Sequence, residues 1–262
     1  WDDGYAIQRT RPAPNAAGDG GGPPPATGHG SPGGPPSPGA ADSSPDGDAP
    51  PATRVWRDDF DQSDLALPWQ TLREPLPESV LSLTERAGFL RLRGQGSLAS
   101  FHTQALVARR QQSFRYTATT ALEFTPERYQ HVAGLIAFYD TTNYYYLFVS
   151  HDEELGRVLG ILSAQNGRHS FPLSAPRAVE PAGPIYLRVR VDYDRGRFFF
   201  SEDECTWHGI GPEFDASTLS DDFPANWGFT GAMVGVCCQD LYGRSHPADF
   251  DWFEYVERRE HG

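Results

Sequence analysis

Several residue types are rare or missing in this chain, and their absence excludes some classes of function. None of the 262 residues is lysine, so all 22 basic residues are arginine, against 35 acidic residues and a formal net charge of −13. Such an acidic chain lacks the excess of positive charge that nucleic-acid binding requires, and its charge is compatible with neutral or cationic ligands. No apolar run approaches about 18 residues, which excludes a membrane-spanning helix.

Cysteine is also scarce, and its positions do not suggest a disulfide framework. Cys237 and Cys238 are neighbours in the chain, with Cα atoms about 3.8 Å apart, below the usual disulfide range. With Cys205 as the third cysteine, reduced thiols and a cytoplasmic location are expected. The chain begins with Trp1 and no signal-like segment follows, so we expect a fragment or a processed product.

One segment lacks large apolar residues altogether. Residues 11–50 contain no Val, Ile, Leu, Met, Phe, Trp, Tyr or Cys, and glycine and proline fill 21 of their 40 positions. Such a segment cannot bury enough apolar surface to offset the entropy of ordering it. Residues 11–53 are therefore predicted to be a disordered linker, with 54–257 as one folded domain and 258–262 as a tail.

The predicted domain shows the alternation of β-strands and no helical stripe. Leu187, Val189 and Val191 alternate with polar residues, Tyr193 continues their face, and 194–197 is predicted as the following turn. Together with 186–193, strands are predicted at 88–93, 104–108, 114–124, 132–140, 144–151, 157–164, 198–201, 231–240 and 249–256. Short strands at this spacing predict an all-β fold, a two-sheet antiparallel β-sandwich or jelly roll.

Two aromatic triplets, at 144–146 and 198–200, stand out within these strands. Alternate side chains of a strand face opposite sides, so at least one ring of each triplet is expected outside the core. Exposed rings would suit sugar stacking, whereas rings covered by another sheet or domain would serve packing.

Acidic residues near the C-terminus are candidates for chemistry. Asp249 and Asp251 share one face of a predicted strand, and a bulge would bring Glu254 onto that face. Retaining glycosidases need two carboxylates about 5–5.5 Å apart, which such a strand can supply. Alternatively, these acids accept hydrogen bonds from arginine or the backbone, or hold a structural cation.

A second acidic cluster, which includes Asp58 and Asp59, opens the domain. First and last strands of jelly rolls often lie side by side. The cluster could therefore meet Asp249 and bind a structural Ca²⁺, which takes 6–8 oxygen ligands. The eight histidines include no pair at ligand spacing on one predicted element, which argues against zinc.

Four segments together resemble a known module. They are NWGFTGAMVGVCCQDL (226–241), ALVARRQ (105–111), YYYL (144–147) and ADFDWFEY (248–255). They are similar to the concanavalin-A-like C-terminal domain of β-xylosidases in glycoside hydrolase family 43, and the resemblance covers about 54–257. Residues 1–10, which open with WDDGY, resemble the end of that family's catalytic β-propeller. The family more often has Gly-Trp there, and a shorter connector.

The resemblance implies a non-catalytic accessory module. In the family the acids of the inverting mechanism lie on the propeller, and none of them has a counterpart in this chain. The C-terminal module contributes a loop whose aromatic ring closes one side of the xylose pocket, and Phe229 matches that ring by its position in the motif. The implied partners are the propeller and, through it, xylo-oligosaccharides; no cofactor is implied beyond the structural Ca²⁺ considered above.

Three functions remain open at this stage. The first is an accessory module that packs on a propeller; without that partner it is expected to expose an apolar face and to form homo-oligomers. The second is an autonomous, lectin-like carbohydrate-binding module that uses exposed aromatic rings. The third is a jelly-roll glycosidase that acts through Asp249, Asp251 and Glu254.

Overall fold

The computed structural model describes residues 53–100, 102–223 and 231–258. Their regular structure consists of sixteen strands and one short 3₁₀ helix, Ala216–Leu219. The strands are β1 (Arg54–Asp58), β2 (Trp69–Thr71), β3 (Leu81–Ser82), β4 (Leu90–Arg93), β5 (Ala105–Arg110), β6 (Arg115–Glu123), β7 (His131–Asp140), β8 (Asn143–Asp152), β9 (Gly156–Gln165), β10 (Arg168–Ser170), β11 (Arg177–Ala178), β12 (Ile185–Asp192), β13 (Arg195–Ser201), β14 (His208–Asp215), β15 (Met233–Asp240) and β16 (Pro247–Glu257).

These strands form two antiparallel sheets. The first has the order β14-β13-β12-β6-β16-β4-β3, with β1 also paired to β16. The second has the order β10-β9-β8-β7-β15-β5-β2, with β11 also paired to β9. The predicted all-β fold of two antiparallel sheets is confirmed, and ten strands lie within three residues of their predicted bounds.

The main core consists of side chains from both sheets. Members include Leu187, Val189 and Val191 of β12, and Leu135 and Leu147 from the facing sheet. Inward side chains from two sheets make the core of a sandwich. A second apolar cluster, which includes Phe138, Tyr144 and Cys237, lies on the other side of the second sheet. Both faces of that sheet are therefore buried over part of its area.

One ring of the second aromatic triplet lies outside the core, as expected, but no ring of the first triplet does. Tyr145 belongs to the main core, while Tyr144 and Tyr146 belong to the second cluster, and all three are at most 2% exposed. In the other triplet only Phe199 is half-buried. The alternation was correct, but the expectation of a ring outside the core is wrong for the tyrosines, because a second apolar cluster covers the outer face.

The turn after β12 differs from the prediction. Asp192 pairs with Arg195, so Tyr193 and Asp194 form a two-residue hairpin loop, and the residues predicted as a turn at 195–197 belong to β13. Tyr193 therefore leaves the apolar face of its strand. Tyr193 is 45% exposed and its φ is 56°.

Two further observations bear on the predictions. Among the described residues, the structure has no helix of the length and apolar character needed to cross a membrane. The predicted propeller remnant at 1–10 and the linker through 52 lie outside the described residues, as do Phe229 and most of the tail.

Candidate functional site

Asp249 is held by two arginines. Arg91 donates from Nε to Oδ1 at 2.7 Å and from Nη2 to Oδ2 at 2.8 Å, and Arg86 donates from Nη1 to Oδ2 at 2.9 Å. Burial alone would raise the pKa of Asp249, but the two guanidinium groups outweigh it, and the pKa is lowered. Because both oxygens already accept charged hydrogen bonds, the geometry favours a structural role for Asp249 over that of a nucleophile.

The neighbouring acids lie at a β-bulge. The register of β16 against β6 shifts between Phe250 and Trp252, so Asp251 is the inserted residue. Phe253 and Tyr255 then face the core, which places Glu254 on the same side of the strand as Asp249. Desolvation and then the Glu123 carboxylate raise the pKa of Asp251. A raised pKa suits a general acid, yet the arginines leave Asp249 unsuited as its partner.

The acids considered for a Ca²⁺ site are also occupied. Asp58 accepts a hydrogen bond from the Phe60 amide at 2.9 Å and another from the Trp69 indole at 2.8 Å, and Asp59 accepts one from Arg57 at 2.7 Å. The first and last strands are indeed neighbours, but Asp58 lies opposite Phe253.

Asp249 therefore lies beyond the end of β1 in that register. Within the described parts of the chain, Asp58, Asp59 and Asp249 do not form a common group of metal-ligating atoms. The side chains considered for Ca²⁺ each accept hydrogen bonds from N–H donors.

A histidine pair was missed because its members come from different elements. His131 of β7 and His246, just before β16, stack with ring centroids 3.9 Å apart, and Glu127 completes a group whose donor atoms lie within 4.8 Å. Burial, and then the nearby His246, lower the pKa of His131. The lone pairs of stacked imidazoles lie in parallel planes, so the rings cannot both direct them at one ion as they stand. We assign this group to packing.

The segment that contains Phe229 is anchored at both of its ends. Asp221 accepts a hydrogen bond from the Tyr139 hydroxyl at 2.8 Å and another from the Gly231 amide at 3.2 Å. Tyr139 is 3% exposed and belongs to the core, so the carboxylate is held from inside the sandwich. Gly231 has φ +69°, a left-handed conformation that glycine adopts without strain. One acid thus ties together two points ten residues apart in sequence.

Comparison with known proteins assigns the fold and these segments to one family. The family model described as the β-xylosidase C-terminal concanavalin A-like domain matches residues 57–256. The β-xylosidase of Bacillus subtilis (strain 168) is 44% identical over 206 residues, which cover 77% of this chain and 38% of that protein. The xylan 1,3-β-xylosidase of a Vibrio species is 37% identical over 202 residues, with 77% and 37% covered.

A solved structure agrees with these matches. The xylan β-1,4-xylosidase from Bacillus halodurans C-125 is 44% identical, with a TM-score of 0.75 over 77% of this chain and 39% of that one. The chain thus spans less than two-fifths of the length of these relatives. With the family model matching most of its length and the sandwich topology in place, the chain belongs to the family of β-xylosidase C-terminal concanavalin A-like domains.

Proposed function

We propose that this domain is the accessory module of a β-xylosidase-type glycoside hydrolase, and that it packs on a catalytic propeller and helps to close its sugar pocket. The matched relatives bear β-xylosidase names and extend well beyond the matched region, which leaves room for a separate catalytic domain. Under this proposal the module contributes no catalytic acid, and xylo-oligosaccharides meet it only through its partner domain.

The tie between Asp221 and Gly231 is the observation that carries the proposal. This hydrogen bond joins the two ends of segment 222–230. The hydroxyl of the core residue Tyr139 donates a second hydrogen bond to the same carboxylate. The segment between these two points therefore starts and ends at neighbouring positions on the sandwich, as functional surface loops often do. Phe229 lies in this segment, and we propose that its ring is the one that closes the pocket.

The geometry at Asp249 speaks against the glycosidase alternative. A nucleophile or base needs an oxygen free to reach the sugar, whereas both oxygens of Asp249 accept hydrogen bonds from Arg86 and Arg91. In the lectin-like alternative the tyrosine triplet cannot serve as the sugar-binding surface, because its three rings are buried. The accessory role therefore has the better support.

Two further expectations accompany the proposal. The three cysteines are all free, with Cys205 exposed and the other two buried, which is compatible with the proposed cytoplasmic location. A module that lacks its propeller is proposed to form homo-oligomers through the surface that would otherwise be covered.

A chimaera tests the accessory role. The matched 206-residue segment of the Bacillus subtilis relative is replaced by the corresponding part of this chain, and xyloside hydrolysis is compared with that of the relative truncated before the segment. We expect the chimaera to recover most of the kcat/KM that truncation removes. If both proteins fold and the chimaera is no more active than the truncated protein, the proposed role is wrong.

A further inference from the structure

A cleft of about 660 Å³ opens beside the 3₁₀ helix at one end of the sandwich. Phe114 and Tyr193 stand on its wall with their rings nearly parallel, the centroids 6.0 Å and the planes 10° apart. Phe114 and Tyr193 are 72% and 45% exposed; Tyr129, Phe171 and Tyr242 are exposed as well, but most other aromatic residues that the structure describes are buried. Together the two parallel rings form an apolar platform at the edge of the cleft.

The backbone at Tyr193 is unusual for an exposed aromatic residue. Its φ of 56° lies in the left-handed region, which two-residue hairpin loops normally fill with Asn, Asp or Gly. Phe60 has a similar φ of 53°, but its ring is 2% exposed, so core packing accounts for it. Tyr193 is held outside the core instead, where its amide donates to the Phe114 carbonyl at 2.8 Å. Backbone strain held at an exposed ring is typical of binding sites.

A buried arginine fixes the polar side of the cleft. Arg109 is 3% exposed and lies between the Trp56 and Tyr255 rings, 4.5 and 4.2 Å from their centroids. Its Nη2 donates to Oε1 of Gln112 at 2.6 Å, while the backbone N–H of Gln112 donates to the Tyr255 hydroxyl at 3.0 Å. Gln112, which lines the cleft, is thus oriented from the core, and its Nε2 group is the donor that these contacts leave for a ligand.

The charge of the lining narrows the class of ligand. Asp194, Asp221 and Asp222 line the cleft together with hydroxyl and amide side chains. Arg115 lies over the Tyr193 ring, 5.5 Å from its centroid, but its charge is paired with Asp192. Carboxylates repel phosphates, uronates and nucleic acid, but they accept hydrogen bonds from hydroxyl groups. Aromatic platforms with a few fixed polar groups are features of ligand sites.

We infer that this cleft is a binding site for a neutral, β-linked oligosaccharide, with a sugar ring stacked on the platform formed by Phe114 and Tyr193 and its hydroxyl groups bound by Gln112 and the aspartates. The cleft includes Asp221 and Gly231 at the base of segment 222–230, and its described lining comes from this chain alone, so binding can be measured without a catalytic domain. It therefore adds a second carbohydrate contact to the proposed accessory role, and only the choice of xylan as the first polymer to test rests on that role.

Titration of the whole chain tests the inference. Xylohexaose, cellohexaose and choline are added separately up to about 10 mM, and binding is followed by calorimetry and by chemical-shift changes. We expect xylohexaose or cellohexaose to bind, and Phe114→Ala to weaken that binding at least tenfold. Tyr193→Asn should weaken binding similarly without lowering the unfolding temperature, because Asn suits the left-handed turn position.

Phe171→Ala is the matched control, since Phe171 is 69% exposed and does not line the cleft. It should leave the affinity unchanged. The inference is overturned if neither oligosaccharide binds, if choline alone binds, or if Phe171→Ala weakens binding as much as Phe114→Ala does. The accessory role is measured separately on the chimaera, so it can fail while oligosaccharide binding by this chain stands.

Discussion

Arg91 and Asp249 form a two-point ion pair across 158 positions of sequence. Nε meets Oδ1 at 2.7 Å and Nη2 meets Oδ2 at 2.8 Å, with side-chain exposures of 19% and 11%. This planar, fork-like geometry is the strong form of the arginine–carboxylate contact. It joins β4 to β16, and Arg86 adds a third bond from the loop between β3 and β4.

Asp249→Asn should therefore destabilise the domain. The substitution removes the negative charge that accepts three hydrogen bonds from Arg86 and Arg91, at an expected cost of roughly 2–4 kcal/mol in the free energy of unfolding. Urea denaturation measures this free energy. Asp192→Asn is the control, because the pair of Asp192 with Arg115 is exposed and should matter much less. Equal effects of the two substitutions would contradict the assigned role.

Stability should also depend on pH through His131. The folded-state pKa of this histidine is lowered by burial and then by His246, so the unfolded chain binds a proton more readily. Its contribution is full above the unfolded pKa of about 6.5 and is lost as the pH falls below that value. Unfolding free energies between about pH 8 and pH 5 should decline less for His131→Gln than for the unchanged chain. The same substitution at His102, which is exposed, should leave the slope unchanged.

This chain alone is expected to hydrolyse no xyloside. Hydrolysis needs an acid and a base at a fixed separation, and Asp249 is held by arginines. Release of nitrophenol from an aryl xyloside by the purified chain measures this directly. Under this account Asp251→Asn leaves the uncatalysed rate of nitrophenol release unchanged. Turnover by the purified chain that disappears in Asp251→Asn would instead establish the jelly-roll glycosidase.

Much of the sandwich could be predicted because its strands alternate on a two-residue period. The errors have local causes. Gly196 suggested a turn, but it lies within β13, where the Phe214 ring leaves no room for a Cβ atom. Strand β14 was missed because glycine and proline interrupt its pattern, and β2 and β3 are too short to show one.

The site was harder to predict than the fold. The acidic side chains of β16 could be named from the sequence, but their arginine partners lie about 160 positions away, and no spacing reveals them. His131 and His246 meet for the same reason, through sheet pairing rather than sequence proximity. The exposure of Tyr193 was missed because the turn was predicted at 194–197, whereas the observed hairpin loop consists of Tyr193 and Asp194.

Asp221→Ala should impair the chimaera without unfolding the sandwich. Loss of its hydrogen bonds to Tyr139 and Gly231 removes the tie at the base of segment 222–230, worth about 0.5–1.5 kcal/mol. We expect kcat/KM to fall by about 2–12-fold. Glu78→Ala, at an exposed position far along the chain, is the control. If both variants match the parent chimaera, the tie has no part in the activity.

The kinetics of Phe229→Ala in the chimaera test the central claim most directly. A phenyl ring that walls the sugar pocket contributes about 1–3 kcal/mol by the apolar area it buries. Its removal should therefore lower kcat/KM by about 5–150-fold, at about 1.4 kcal/mol per tenfold, while the unfolding temperature stays the same. Phe171→Ala should have no such effect. A Phe229→Ala chimaera that is as stable and as active as its parent would contradict the account.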